Sequence, residues 1–193
     1  MLEINAHFLV WNVRGVNNPA RWAVVHDVTR EAAASVVAMV ESKLDIVTSQ
    51  LLMRILGLEH GDFIALPGVG TAGGIIVAWR ARDVKVLATG VDTFSVSILL
   101  ELSNGDSWWL SVVYGPTDER LRHDFLQELR LPRASCVWSW CIAGRFQHHL
   151  ERGEYKQCTY QPTCNDGFRQ LVNNLELSEV PLIGRRFTWN NER

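Results

Sequence analysis

Five short apolar segments separated by turns occupy the middle of the chain and constrain its fold more than any other feature. Each segment is rich in the β-branched and aromatic residues typical of strands. The segments are DFIALP, GGIIVAW, VKVLATGV, SVSILLEL and WWLSVVYG. The sequence SNGD at 103–106, between the last two, is the strongest hairpin signal in the chain. This pattern predicts consecutive hairpins in the middle of the chain.

Further strands and several amphipathic helices flank this region. Apolar runs predict strands at 7–13, 35–40, 137–144 and 185–190. Asn18-Pro19 is a helix start, because asparagine caps a helix and proline fits its first turn. Apolar residues at helical spacing predict later helices at 45–57, 118–129 and 167–177. The mixture predicts an α/β (α+β) fold of two packed, largely antiparallel sheets flanked by helices, a four-layer αββα sandwich.

The composition is that of one globular domain spanning 1–193. Hydrophobic residues make up 47% of the chain and charged residues 21%, and the net charge is −2. The chain therefore lacks the overall basic character of many nucleic-acid-binding proteins, although a cationic groove on a neutral protein is compatible with this value. The N-terminus does not resemble a secretory signal, and no apolar run reaches transmembrane length. The four cysteines form no C-x-x-C pair, and Cys136 and Cys141 lie in or beside an apolar run, where a cysteine is usually a small buried hydrophobic residue. The expected compartment is therefore intracellular and reducing.

Two alternative binding sites are disfavoured by their spacing. His148 and His149, followed by Cys158 and Cys164, contain zinc-ligating residue types, but their spacing fits no established zinc-finger pattern. The glycine-rich GVGTAGG segment precedes a strand and does not open a helix, as a nucleotide-binding loop would. We therefore predict no small-molecule cofactor.

Polar residues follow several predicted strands directly. Glu41 follows the buried run SVVAMV, and a carboxylate there is costly unless it meets a cation or another partner. Two interpretations remain open from the residues alone: a metal ligand, or a loop glutamate paired with Lys43. Asn12 likewise suits a ligand-binding position or an asparagine turn. Tyr114 suits a phosphate contact or an ordinary aromatic residue at a strand end.

Six pieces of sequence resemble, in order, the endonuclease/exonuclease/phosphatase family, and more narrowly the endonuclease domain of plant LINE-type (non-LTR) retrotransposons. The pieces are WNVRG, ESK, GTAGGIIVAW, VYGP, IAGRFQ and GRRFTWNNER. The resemblance implies that Glu41 binds Mg²⁺, that Asn12 orders the metal and phosphate, and that Tyr114 contacts the scissile phosphate. It also implies DNA as a partner, a nuclear location and a reverse-transcriptase region in a longer polyprotein.

The chain departs from the family pattern in one loop. Gly-Asp-Phe-Asn is replaced by Gly144-Arg145-Phe146-Gln147. Arg145 cannot act as a base, because its guanidinium stays protonated. At about 4 Å and an effective dielectric constant near 20, it would repel a divalent cation by about 8 kcal/mol. We therefore expect that its side chain turns away or that the metal does not bind, and a guanidinium could instead pair with phosphate.

The second departure is that no Ser-Asp-His motif precedes Arg193. The resemblance therefore predicts a degenerate domain that lacks its last strands and does not hydrolyse DNA. The alternative is a Mg²⁺-dependent phosphodiesterase with residual activity, in which Glu151 or Glu154 replaces the lost aspartate. An unrelated binding module of similar β composition is a third interpretation, which the order of the six pieces disfavours.

Overall fold

The computed structural model describes residues 6–69, 73–130, 139–146, 162–181 and 183, with the backbone alone over 162–166. Its strands are β1 (Phe8–Asn12), β2 (Val36–Val40), β3 (Asp62–Leu66), β4 (Ile75–Trp79), β5 (Val84–Val91), β6 (Ser95–Leu102), β7 (Ser107–Tyr114) and β8 (Ser139–Arg145). Its α-helices are α1 (Trp22–Glu31), α2 (Ser49–Leu56), α3 (Arg122–Glu128) and α4 (Pro162–Asn174). Short 3₁₀ turns at Pro19–Arg21 and Glu119–Leu121 lead into α1 and α3.

The described strands form two four-stranded sheets. The strand order is β1-β2-β4-β3 in the first sheet and β5-β6-β7-β8 in the second. Each sheet has one parallel pair, β1 with β2 and β7 with β8, and its other pairs are antiparallel. The prediction of two largely antiparallel sheets is confirmed.

Strand β2 shows why these sheets stack. Val36, Ala38 and Val40 belong to the cluster between the two sheets, whereas Val37 and Met39 pack with residues of α1 and α2. Successive side chains of a strand point to opposite faces, so a strand covered on both faces is apolar throughout. All five residues of β2 are accordingly buried.

Helices α3 and α4 form the fourth layer on the second sheet. The cluster that they share with this sheet has as its buried members Val113, Phe125, Leu129, Phe168, Leu171 and Leu175. The order of layers is therefore helices, sheet, sheet, helices, as the sequence predicted.

The two parallel pairs bring four strand ends to one side of the sandwich. Helix α1 connects β1 to β2, and α3 lies between β7 and β8 along the chain. Parallel neighbours end at the same edge of a sheet. Strands β1 and β8, which begin the first sheet order and end the second, also contact each other. The chain segments that leave β1, β2, β7 and β8 therefore lie close together.

Three predicted helices have different boundaries in the structure. The helix predicted at 45–57 begins at Ser49, because the Thr48 hydroxyl caps it by accepting the amide of Leu51. The segment 118–129 is divided into a 3₁₀ turn and α3. The helix predicted at 167–177 covers Pro162–Asn174 instead, and Glu176 takes a left-handed conformation with φ of +52° shortly after it ends.

The hairpin predicted at SNGD is present between β6 and β7. The amide of Leu102 donates to the carbonyl of Asp106 at 2.9 Å, and Gly105 has φ of +87°. The side chain of Asn104 donates to the carboxylate of Asp106 at 2.6 Å, which stiffens the turn. Local turn chemistry therefore fixes the register of β6 against β7. The predicted strand at 185–190 lies outside the described residues.

His60 gives the stability of this fold an expected pH dependence. It is buried, and its Nε2 lies 3.0 Å from the carbonyl oxygen of Ala34. Burial lowers the pKa of His60 below 6.5, and the nearby Arg80 cation adds to the effect. As the pH falls below 6.5, the unfolded chain therefore binds a proton that the folded state resists, and stability is lost.

We expect the His60→Gln variant to lose less stability than the wild type between about pH 8 and about pH 5, because glutamine does not titrate in this range. Urea unfolding of both proteins at the two pH values measures this difference. Equal losses would show that His60 is not the group responsible.

Candidate functional site

The side chains that the sequence singled out lie at the four neighbouring strand ends. Asn12 is the last residue of β1, and Glu41 directly follows β2. Tyr114 ends β7, and Arg145 ends β8. The structure brings Glu41, Tyr114 and Arg145 into contact, although they come from different sheets. We call this group, together with Asn12 and Lys43, the strand-end cluster.

The loop at 41–43 is held by backbone hydrogen bonds on both sides. The amide of Gly15 donates to the carbonyl of Glu41 at 2.7 Å, and the amide of Lys43 donates to the carbonyl of Gly73 at 3.0 Å. Glu41 and Lys43 have φ of +59° and +57°, a conformation uncommon outside glycine. Such strain persists where the surroundings fix the backbone, and it is frequent at functional sites.

Two glycines fix the end of β8 against β7. Gly144 has φ of +129°, and a Cβ there would overlap the carbonyl oxygen of Val113. A Cβ on Gly115 would overlap the carbonyl oxygen of Phe146. This close approach allows the amide of Gly115 to donate to the carbonyl of Arg145 at 2.6 Å. The backbone of Arg145 therefore has a defined position in the cluster.

The carboxylate of Glu41 is paired with two cationic side chains. Nη1 of Arg145 donates to Oε2 of Glu41 at 3.0 Å, and Nζ of Lys43 lies 3.6 Å from Oε1. The Glu41 side chain is only 16% exposed, and that of Arg145 is 40% exposed. The sequence left two outcomes open: the Arg145 side chain turns away, or the metal does not bind. The structure does not show the first, because the guanidinium faces Glu41. The guanidinium instead occupies a position beside the carboxylate where a metal ion would have to bind.

Tyr114 packs beside this ion pair. The guanidinium carbon of Arg145 lies 5.7 Å from the centre of the Tyr114 ring, within the range of a cation–π interaction. Burial raises the pKa of the Tyr114 phenol, and the Glu41 carboxylate raises it further. The phenol therefore stays protonated at neutral pH and can donate a hydrogen bond to an anionic ligand.

Asn12 stabilises the loop that follows its own strand. Its Oδ1 accepts the amide of Arg14 at 3.1 Å, as in an asparagine turn. Arg21 completes this loop, because its Nη1 lies 2.9–3.2 Å from the carbonyl oxygens of Val13, Arg14 and Gly15. The sequence analysis did not identify Arg21, because carbonyl acceptors on a neighbouring loop leave no pattern in side-chain identities.

The described residues do not fit a magnesium site. Mg²⁺ requires near-octahedral oxygen ligands at about 2.0–2.1 Å. Glu41 is the carboxylate of the cluster, and both of its oxygens face cations. Over the described ranges, no three His, Cys, Asp or Glu side chains form a group that could hold a metal ion. The guanidinium that pairs with Glu41 would also repel a divalent cation.

Several predicted residues fall outside the described part of the chain. They are Gln147, the two alternative acids Glu151 and Glu154, and three residues of the disfavoured zinc group, His148, His149 and Cys158. For the fourth residue of that group, Cys164, only the backbone is described. Among the described helices, none has both the length and the apolar character needed to cross a membrane.

No protein-family model matches the chain, and no curated protein matches its sequence. Solved structures are similar. An AP endonuclease from Leishmania major has a TM-score of 0.68 at 10% identity, with 88% of this chain and 66% of that chain covered. An AP endonuclease from Archaeoglobus fulgidus has a TM-score of 0.60 at 11% identity, with 88% and 70% covered. D. rerio TDP2 complexed with a single-strand DNA product has a TM-score of 0.55 at 13% identity, with 89% and 65% covered.

The chain spans just under two thirds of the Leishmania and D. rerio chains. At such low identity, the likeness concerns the arrangement of the backbone. It agrees with the two mixed sheets flanked by helices. The chain therefore shares the fold of these two AP endonucleases and of TDP2.

Proposed function

We propose that this chain is an endonuclease-like domain of plant LINE-type (non-LTR) retroelement origin that binds DNA but does not hydrolyse it. The six ordered sequence pieces support the retroelement origin. The similarity to AP endonucleases and to TDP2 bound to a single-strand DNA product supports DNA as the partner. The sequence pieces and the fold point to the same ancestry.

The pairing of Glu41 with Lys43 and Arg145 carries this proposal. Metal-assisted hydrolysis needs a carboxylate that binds the ion and a group that activates or orients water. Glu41 already has two cationic partners, and Arg145 stands where the family has its aspartate. The cluster therefore lacks the groups that metal-assisted hydrolysis requires. Its cationic side chains can still bind phosphate.

Binding is attributed to the cationic side chains around this carboxylate. Lys43 and Arg145 both pair with Glu41, and Arg14 precedes Gly15, whose amide donates to the carbonyl of Glu41. Two cations on one carboxylate give a local excess of positive charge on a chain of net charge −2. A guanidinium can pair with two phosphate oxygens, and the protonated Tyr114 phenol can donate to a third. Such contacts hold the DNA backbone without reading its sequence.

The proposal also covers the context of the domain. We assign residues 1–193 to a single domain, with a reverse-transcriptase region as its expected neighbour in a longer polyprotein. The corresponding location is the nucleus, where a retroelement meets its DNA target. Mg²⁺ is the cofactor of the family that the sequence resembles, and we propose that this chain functions without it.

The absence of hydrolysis is tested by nicking of supercoiled plasmid with and without Mg²⁺. We expect no nicking by the wild type and the same result for Glu41→Ala. The Arg145→Asp/Gln147→Asn variant, which restores the family residues, shows whether the scaffold still supports hydrolysis. Circular dichroism establishes that each variant is folded. Mg²⁺-dependent nicking by the wild type that Glu41→Ala abolishes would overturn the proposal in favour of a residual phosphodiesterase.

DNA binding is tested by fluorescence anisotropy with a labelled oligonucleotide in EDTA. Lys43→Gln is expected to weaken binding severalfold and to reduce its dependence on salt, because one phosphate contact is removed. Lys85→Gln is the matched control, since Lys85 is 69% exposed on β5 and pairs with Glu101 away from the cluster. Equal affinities for Lys43→Gln and Lys85→Gln would place the DNA elsewhere.

A further inference from the structure

We propose that the guanidinium of Arg145 is a built-in replacement for a divalent cation, and that removing its charge opens the Glu41 carboxylate to Mg²⁺ or Mn²⁺. The inference concerns the same cluster as the proposed function, but it does not require that the chain bind DNA. It assigns a structural role to the residue that breaks the family pattern. It also assigns a latent metal site to a protein whose described residues hold none.

The carboxylate of Glu41 needs a positive partner on physical grounds. It is 16% exposed at the end of a fully buried strand, where an unpaired charge is costly. Its backbone is held by hydrogen bonds to Gly15 on one side and, through Lys43, to Gly73 on the other. The loop therefore places the carboxylate in the cluster whichever cation is present.

Arg145 supplies that partner from the other sheet. It is separated from Glu41 by 104 positions in sequence, and their ion pair links the end of β8 to the end of β2. Its backbone is fixed by the hydrogen bond from Gly115, and its guanidinium lies against the Tyr114 ring. A guanidinium that contacts both Glu41 and the Tyr114 ring, on a backbone fixed by Gly115, is not displaced by a solvated ion that gains one carboxylate. We therefore infer that the wild-type cluster binds neither Mg²⁺ nor Mn²⁺.

The same geometry predicts what a change at position 145 creates. Aspartate there would place a second carboxylate close to Glu41, and the two like charges would repel each other in the absence of metal. A pair of carboxylates with hard oxygen atoms is the ligand set that Mg²⁺ and Mn²⁺ prefer. Glutamine at position 145 removes the cation without adding a charge, and it leaves Glu41 as the anionic ligand.

The test compares thermal unfolding of the wild type, Arg145→Asp and Arg145→Gln in EDTA, in MgCl₂ and in NaCl of matched ionic strength. The wild-type melting temperature is expected to be the same in MgCl₂ and NaCl. That of Arg145→Asp is expected to be lower than wild type in EDTA and to rise by about 5 °C, saturably, in MgCl₂. Mn²⁺ titration followed by electron paramagnetic resonance should give one bound ion for Arg145→Asp and none for the wild type.

Two further variants make the result specific to the Glu41 carboxylate. The melting temperature of Glu41→Gln/Arg145→Asp should not rise in MgCl₂, because the Glu41 carboxylate is gone. That of Arg145→Lys should also be the same in MgCl₂ and NaCl, because a cation is retained at position 145. Saturable metal binding by the wild type would overturn the inference. If Arg145→Asp does not fold, Mn²⁺ binding by Arg145→Gln decides: one ion that Glu41→Gln abolishes supports the inference, and none overturns it. These readouts are independent of plasmid nicking, so the inference and the proposed function fail separately.

Discussion

Replacing Gly144 with alanine is expected to lower the free energy of unfolding by at least about 3 kcal/mol. Gly144 has φ of +129°, a conformation that residues with a Cβ rarely adopt. The new Cβ would overlap the carbonyl oxygen of Val113 and lie 2.9 Å from its amide nitrogen. Both neighbours are backbone atoms, which cannot rotate away. The end of β8 would have to separate from β7, which removes Arg145 from Glu41.

Urea unfolding followed by tryptophan fluorescence measures this effect. Gly90→Ala is the matched control, because Gly90 lies in β5 and a Cβ there would meet nothing within 4 Å. We expect the stability of this control to change by less than about 1 kcal/mol. Similar losses in the two variants would show that the close contact between β7 and β8 at Gly144 does not limit the stability of the fold.

Replacing Phe125 with alanine is expected to destabilise the fold by about 3–5 kcal/mol. Phe125 is 0% exposed in the cluster between the second sheet and helices α3 and α4. Its ring meets that of Phe94 edge to face, with centroids 5.7 Å apart. Alanine would leave a cavity lined by residues of several elements, and a well-packed interior closes such a cavity only in part. The outer helical layer would lose one of the buried side chains that pack it against the sheet.

Leu121→Ala is the control for this change, because Leu121 precedes α3 and is 41% exposed. It should cost less than about 1 kcal/mol. Differential scanning calorimetry of both variants measures the contrast. A loss below about 1 kcal/mol for Phe125→Ala would mean that the second sheet holds together without the helices that cover it.

The strands were predictable because their determinants are local. The run 36–40 is apolar at every position, and the strand Val36–Val40 that it forms is covered on both faces. The turn at SNGD has side chains that close it, so it was visible without tertiary information. Helix boundaries were less predictable. Thr48 caps α2 within a segment whose apolar spacing continues on both sides of the cap.

The strand-end residues were also recognisable in the sequence, but their partners were not. Glu41 and Tyr114 directly follow or end apolar runs, so the sequence places them at strand ends. That Lys43 pairs with Glu41 was one of two interpretations that the sequence left open, and the structure contains this ion pair. Arg21 was missed entirely, because it binds backbone carbonyls that any residue could supply.

The sequence by itself determined the strand and turn pattern, the two-sheet architecture and the presence of an arginine where the family pattern has an acid. Only the tertiary structure decided what that arginine does. Glu41 and Arg145 lie 104 positions apart and come from different sheets, so no local pattern relates them. Their contact depends on the stacking of the sheets and on the close approach of β8 to β7 at Gly144. The role of a charged residue at a strand end is therefore set by the neighbour that the fold places beside it.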